Sequence, residues 1–132
     1  MMKRFIKILM VCLAAAVVSV SCGPSREERA LVVADGFLKA YYSMDFASCG
    51  AFCTPSCAAL IEQAVSDMAS LPEYVQAKMK EASSETSYEI VSVDAEQGLV
   101  FYTVSAPELN RPILKTLYLK IEGRTALVDA VE

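Results

Sequence analysis

Histidine and tryptophan are both absent from the 132 residues, and glycine occurs only five times. Without histidine the chain lacks the commonest general base and the commonest metal ligand together. No Gly-rich phosphate loop of the P-loop or dinucleotide type is present. Positive charge is thin: the net charge is −4, and no lysine or arginine occurs between Met44 and Glu73. An acidic surface argues against nucleic acid as a partner and against electrostatic docking on anionic lipid. There is no internal repeat and no low-complexity segment.

The N-terminus is where basic and apolar residues concentrate. Lys3, Arg4 and Lys7 precede an apolar stretch from Ile8 to Val20, followed by Ser21 and Cys22. Basic start, apolar core and small residues before a cut is the layout of a secretory signal. The stretch is short for a membrane span, which needs roughly 20 apolar residues. Cleavage after residue 21 leaves 111 residues, one small domain. It removes three of the twelve basic residues and no acidic one, leaving nine against sixteen and a net charge of −7.

The stretch Val18-Ser19-Val20-Ser21-Cys22 resembles the lipobox of bacterial lipoproteins, in the relaxed form found in Bacteroidetes. Ser21 is small, as the pattern asks; Ser19 stands where leucine is usual. Cys12 fits less well, because Val11 before it is bulky and the apolar core would be cut short. The resemblance implies diacylglycerol on the Cys22 sulfur, cleavage before Cys22 and acylation of the new amine. Several acyl chains hold a protein stably where one binds only marginally. Gly23 stands where some bacteria use Asp to retain lipoproteins in the inner membrane, so the resemblance implies the outer membrane. Glu27 and Glu28 are a faint echo of the acidic stretch that exports some Bacteroidetes lipoproteins to the surface, and the leaflet stays open.

Residues 22–26 form a short tether. A helix then starts at Ser25, whose spacing to Glu28 is that of a capping box, and runs to about Met44. Leu31, Ala34, Phe37, Leu38, Tyr41 and Tyr42 give it one apolar face. Asp45 is the expected cap of a short helix through Phe52. Thr54-Pro55 opens a third helix with Pro in its first turn, its expected face being Leu60, Ile61, Ala64, Val65 and Met68. Pro72 breaks that helix. Ser70 and Glu73 have the spacing of a second capping box for a last helix ending near Ala82. From Thr86 the period changes to two. Strands are expected over 86–93, 99–106, 113–121 and 124–131, with turns at Gly98 and Gly123. Helices first and hairpins after predict an α+β domain over 27–132, with N-terminal helices packed on a curved four-stranded antiparallel sheet.

The stretch "FLKAYYSMDFASCGAFCTP" resembles the nuclear transport factor 2-like, or cystatin-like, superfamily, through Phe37, Leu38, Ala40, Asp45, Thr54 and Pro55. Thr125 sits where an aromatic is common in that superfamily. The resemblance implies a cone-shaped cavity between helices and sheet. It implies no particular activity, because one fold hosts enzymes and binding domains alike. Phe37, Tyr41, Tyr102 and Tyr118 are the candidate pocket residues, with Tyr42 and Tyr88 as neighbours; ordinary core aromatics are the competing reading. Steroid-isomerase-like members of the superfamily place a tyrosine on the first helix, which Tyr41 matches, and use carboxylic acids in the cavity. Glu89 and Asp129 are the acids in the first and last strands, and neither sits in a matching motif.

Cys49, Cys53 and Cys57 recur at four-residue steps. An oxidising compartment favours pairing. Zinc asks for four ligands, and a redox dithiol is more usually Cys-x-x-Cys beside positive charge, so neither fits well. Two readings remain open: a structural disulfide between Cys57 and either Cys49 or Cys53, or three reduced thiols serving as small core residues. No metal, cofactor or catalytic residue is assigned. The expected function is a membrane-anchored, non-enzymatic envelope domain that binds a small apolar ligand or a partner protein. The alternative is a cofactor-free isomerase or hydrolase using Tyr and Asp.

Overall fold

The structure, a computed structural model, describes residues 25–132. The expected signal segment, Cys12 and the expected lipid-attachment residue Cys22 lie outside the described residues. The chain runs through helix α1 (Arg26–Tyr42), a short helix α2 (Phe46–Cys49), a 3-10 turn (Gly50–Phe52), α3 (Pro55–Ala69) and α4 (Glu73–Ser84). Four strands follow: β1 (Ser87–Asp94), β2 (Leu99–Ser105), β3 (Ile113–Glu122) and β4 (Thr125–Val131). They pair in chain order, each antiparallel to the next. The domain is therefore α+β, as the change of period from helical to two predicts.

Ser25 caps α1, its hydroxyl oxygen accepting the Glu28 N–H at 3.1 Å. Glu27 and Glu28 in the first turn and Lys39 in the last complement the helix dipole. Ala30, Ala34, Phe37 and Leu38 are fully buried. The helix stops two residues short of Met44 because Met44 has a φ of 61°. The Met44 N–H donates to the Tyr41 carbonyl and the Asp45 N–H to the Ala40 carbonyl. This is the Schellman closure, with methionine where glycine is usual.

Asp45 occupies the cap position of α2 as expected, but without a side-chain cap bond. Its carboxylate accepts the Ser48 hydroxyl at 2.6 Å and caps no backbone amide. The 3-10 turn lays the Phe52 ring on Gly36 so closely that a Cβ there would come within 2.6 Å of it. Thr54 caps α3 as expected, its Oγ1 accepting the Cys57 N–H at 3.3 Å, with Pro55 in the first turn. The expected apolar face of α3 is largely unpacked. Only Cys57 and Ile61 are buried, while Leu60 is 68% exposed and Val65 39%. The helix packs on β4 and α2, and the two side chains it buries lie in its N-terminal half. The second capping box is absent too. Ser70 Oγ donates back to the Asp67 carbonyl at 2.7 Å, and Pro72 occupies the cap position of α4 without a side-chain bond. Helix α4 buries no residue; the Ser83 hydroxyl ties it to the Tyr42 carbonyl.

The sheet bends at two β-bulges. Ile90 and Ser92 pair with consecutive residues of β2, leaving Val91 extra, and Asp129 is extra between Val128 and Ala130. Gly98 turns β1 into β2 at φ 68° and accepts the Leu119 N–H at 2.7 Å. A Cβ there would collide with the Leu119 carbonyl oxygen. The inner face, including Val100, Tyr102, Leu117, Leu119 and Val128, packs on the apolar face of α1. Of these, Tyr102, Val100, Leu117 and Val128 are among the largest fully buried side chains.

Candidate functional site

The expected pocket residues divide between the two sheet faces. Phe37 and Tyr102 are fully buried in the core. Tyr41 stacks on Phe37 at a ring separation of 5.6 Å and meets Tyr42 and Phe46 edge-on. Tyr118 belongs elsewhere. Its neighbours Leu117 and Leu119 point inward, so the pleat turns Tyr118 outward, opposite Leu99 and 42% exposed. Phe37, Tyr41 and Tyr102 thus form a continuous aromatic packing unit with Tyr42, and Tyr118 is not part of it.

Two polar contacts run through this interior. Tyr42 Oη and Tyr102 Oη lie 3.4 Å apart. The Tyr88 hydroxyl donates to Asp35 Oδ1 at 2.7 Å and also reaches the Asp35 carbonyl at 3.2 Å. Burial raises the pKa of Tyr88, and the hydrogen bond to Asp35 adds to it. Burial likewise raises Tyr102, reinforced by its hydrogen bond to Tyr42. At neutral pH these phenols are protonated donors, not bases. Asp129 serves the scaffold: its Oδ1 accepts the Thr54 hydroxyl at 2.8 Å and the Ser56 hydroxyl at 3.4 Å, pinning the start of α3 to the bulge of β4. Glu89 pairs with Thr103 on the outer side of the sheet. The carboxylate that Tyr88 meets is Asp35, which the sequence does not single out.

Cys49, Cys53 and Cys57 come together as three buried free thiols. Cys53 follows the 3-10 turn in extended backbone and forms a parallel bridge with Val128; Cys57 lies in the first turn of α3. The break at Thr54-Pro55 turns Cys57 back toward Cys53, and each thiol perturbs the titration of the other. Burial pushes the Cys53 thiol up to about 12, with the Cys57 contact adding to it. Burial and then the Asp45 carboxylate push Cys49 up to about 11, and burial raises Cys57. As thiols they are weak nucleophiles. Among the described residues, no three His, Cys, Asp or Glu side chains are grouped to hold a metal ion.

Open space is found just beyond the C-terminal end of α1. Two adjoining grooves of about 440 and 520 Å³ share Met44, Asp45 and Val65. One side is the stripe Ala58, Ile61, Val65 and Met68 of α3, spaced at three- and four-residue steps. The α1–α2 elbow supplies Met44 and Phe46, and α4 supplies Met79 and Lys80. None of Phe37, Tyr41, Tyr102 and Tyr118 lines either groove. The sequence pattern shows the stripe, but its period reads equally as core; that α3 buries only Cys57 and Ile61 is a tertiary fact.

No family model, curated protein or solved structure matches the chain. Among the described residues no helix is long and apolar enough to cross a membrane.

Proposed function

We propose that this is a bacterial outer-membrane lipoprotein, anchored by acylated Cys22, whose domain binds a partner protein or small apolar ligand without catalysis. The basic-apolar-small-Cys order of residues 3–22 supports the anchor. The order of helices and the antiparallel meander agree with a domain of the nuclear transport factor 2-like or cystatin-like type. The single observation that carries the binding reading is the filled interior. The side chains between α1 and the sheet pack ring against ring, with Tyr102, Phe37, Leu38 and Leu117 fully buried. Apolar side chains remain outside, on the groove and on the outer sheet face at Leu114 and Tyr118. Such unpartnered surface is what an interaction domain presents.

The Asp35–Tyr88 pair favours a second reading, a cofactor-free isomerase or hydrolase in which a phenol polarises a carbonyl. That reading requires the aromatic interior to open to substrate. Metabolic labelling with a fatty-acid analogue tests the anchor: the wild type is labelled and Cys22→Ala is not. Equal labelling of both rejects it. Turnover of an activated ester or an enolisable ketone that Tyr88→Phe abolishes rejects the binding reading in favour of the second.

A further inference from the structure

The reading of the domain as a binding module leaves open where it binds and what. Of the six methionines in the chain, Met1, Met2 and Met10 lie in the signal segment. The other three, Met44, Met68 and Met79, come from three different helices and all line one groove. Unbranched, polarizable side chains suit a surface that re-packs around a partner. Met44 is held there in a positive-φ conformation that a glycine would adopt without strain. The side chain therefore stands in the groove against the preference of its own backbone.

The groove has the length and charge of a helix site. From Ala58 to Ala69 its α3 side extends for about 16 Å, three helical turns. It is open to solvent along its length, whereas small-ligand sites enclose most of their ligand. Asp45 stands where the two grooves join, with Glu62 lining the first and Lys80 the second. From Met44 to Glu73 there are four acidic residues and no basic one. We propose that this groove, resting on the binding reading above, receives a basic amphipathic helix of another envelope protein. The helix lays an i, i+3/i+4, i+7 apolar stripe along Val65, Met68 and the methionine methyls. Its flanking lysines or arginines meet Asp45 and Glu62. The dipoles orient it with its N-terminus toward Glu62 and its C-terminus toward Lys80, parallel to α3.

The three methionine methyls report on the groove directly. The mature full chain in phosphatidylcholine nanodiscs, labelled with methyl-13C methionine, is titrated with a 15-residue Leu/Lys amphipathic peptide, with empty nanodiscs as the blank. All three methyl signals should shift saturably. The Leu/Glu counterpart should bind at least about tenfold more weakly. Glu62→Lys should weaken the Leu/Lys peptide about fivefold or more, while Glu96→Lys, the same change of charge in the exposed β1–β2 turn, should not. Unmoved methyls, equal binding of the two peptides, or equal effects of the two charge reversals overturns the proposal. So does laurate moving the methyls while the peptide does not, which would make the groove a small-ligand site. Cross-linking from residue 65 against residue 118 in intact cells separates the two claims. A specific partner captured only at 118 rejects the groove and keeps the binding reading.

Discussion

Met44 offers the sharpest test of how the helical half of this domain is built. It occupies the residue after the α1 C-cap at φ 61°, inside a Schellman closure made by its own N–H and that of Asp45. A side chain in this region costs about 1 kcal/mol relative to glycine. Truncating the half-buried methionine costs about 1 kcal/mol of apolar burial. Met44→Ala loses that burial and keeps the strain, so it should destabilise by about 1 kcal/mol. Met44→Gly loses the same burial but relieves the strain, offset in part by the larger backbone entropy of glycine in the unfolded chain. It should be more stable than Met44→Ala by about 0.5–1 kcal/mol, a few degrees in Tm for a domain this size. At an ordinary helical position glycine is the worse residue by a similar amount. Urea midpoints of the three proteins at equal m-value decide it. Alanine equal to or better than glycine would refute the claim that the closure imposes a left-handed residue. Both variants should weaken binding of the Leu/Lys peptide, so that Met44→Gly separates stability from binding.

Thr54→Ala removes the α3 cap and the bond to Asp129 together and should cost about 1–2 kcal/mol, most of it restored in Thr54→Ser, again read from urea midpoints. Gly98→Ala should destabilise by about 2 kcal/mol or more, because it adds a Cβ at positive φ against the Leu119 carbonyl; a neutral result would mean that the turn re-forms without cost. The buried thiols make the reduced protein sensitive to alkali. Cysteines in the unfolded chain ionise from about pH 9, while Cys49 and Cys53 in the folded protein keep their protons to about 11 and 12. In that window the unfolded state binds fewer protons, so stability falls as pH rises, by about 1.4 kcal/mol per pH unit for each such thiol. Denaturation midpoints at pH 8, 9 and 10 in reductant should show the decline, and a flat profile would contradict it. Non-reduced mass spectrometry of the mature envelope protein should find a bond between Cys53 and Cys57, which the break at Pro55 turns toward each other, with Cys49 free; three alkylated thiols would reject it.

Local rules carried much of the fold. Ser25, Thr54 with Pro55, Gly98 and the change of period near Thr86 mark boundaries in the sequence because caps, turns and strand alternation are short-range physics. Where they failed, a competing local bond or tertiary packing decided. Asp45 turns to the Ser48 hydroxyl, and Ser70 bonds back to Asp67, so two plausible caps are spent elsewhere. The apolar period of α3 reads as a core face, yet among the described residues only Cys57 and Ile61 of that helix are buried. Among the candidate site residues, Phe37, Tyr41 and Tyr102 do meet. Tyr118 does not, because side-chain parity in β3 follows from the register with β2, and register depends on partners that one strand's pattern does not name. Asp35 escaped notice because a carboxylate on the first helix looks like any solvated one until Tyr88, 53 residues away, reaches it.

The central claim is a folded binding domain held at the outer membrane by lipid alone. Four residues, 23–26, reach at most about 14 Å, so an anchor at Cys22 would hold the domain against the bilayer. Separation of inner and outer membranes, with the wild type and Cys22→Ala followed in parallel, tests it most directly. The wild type should sediment with the outer membrane, and Cys22→Ala should appear as a soluble protein with a cooperative urea transition. Wild type in the inner membrane would contradict the sorting, and a Cys22→Ala variant that is unfolded or still membrane-bound would contradict the tethered domain itself.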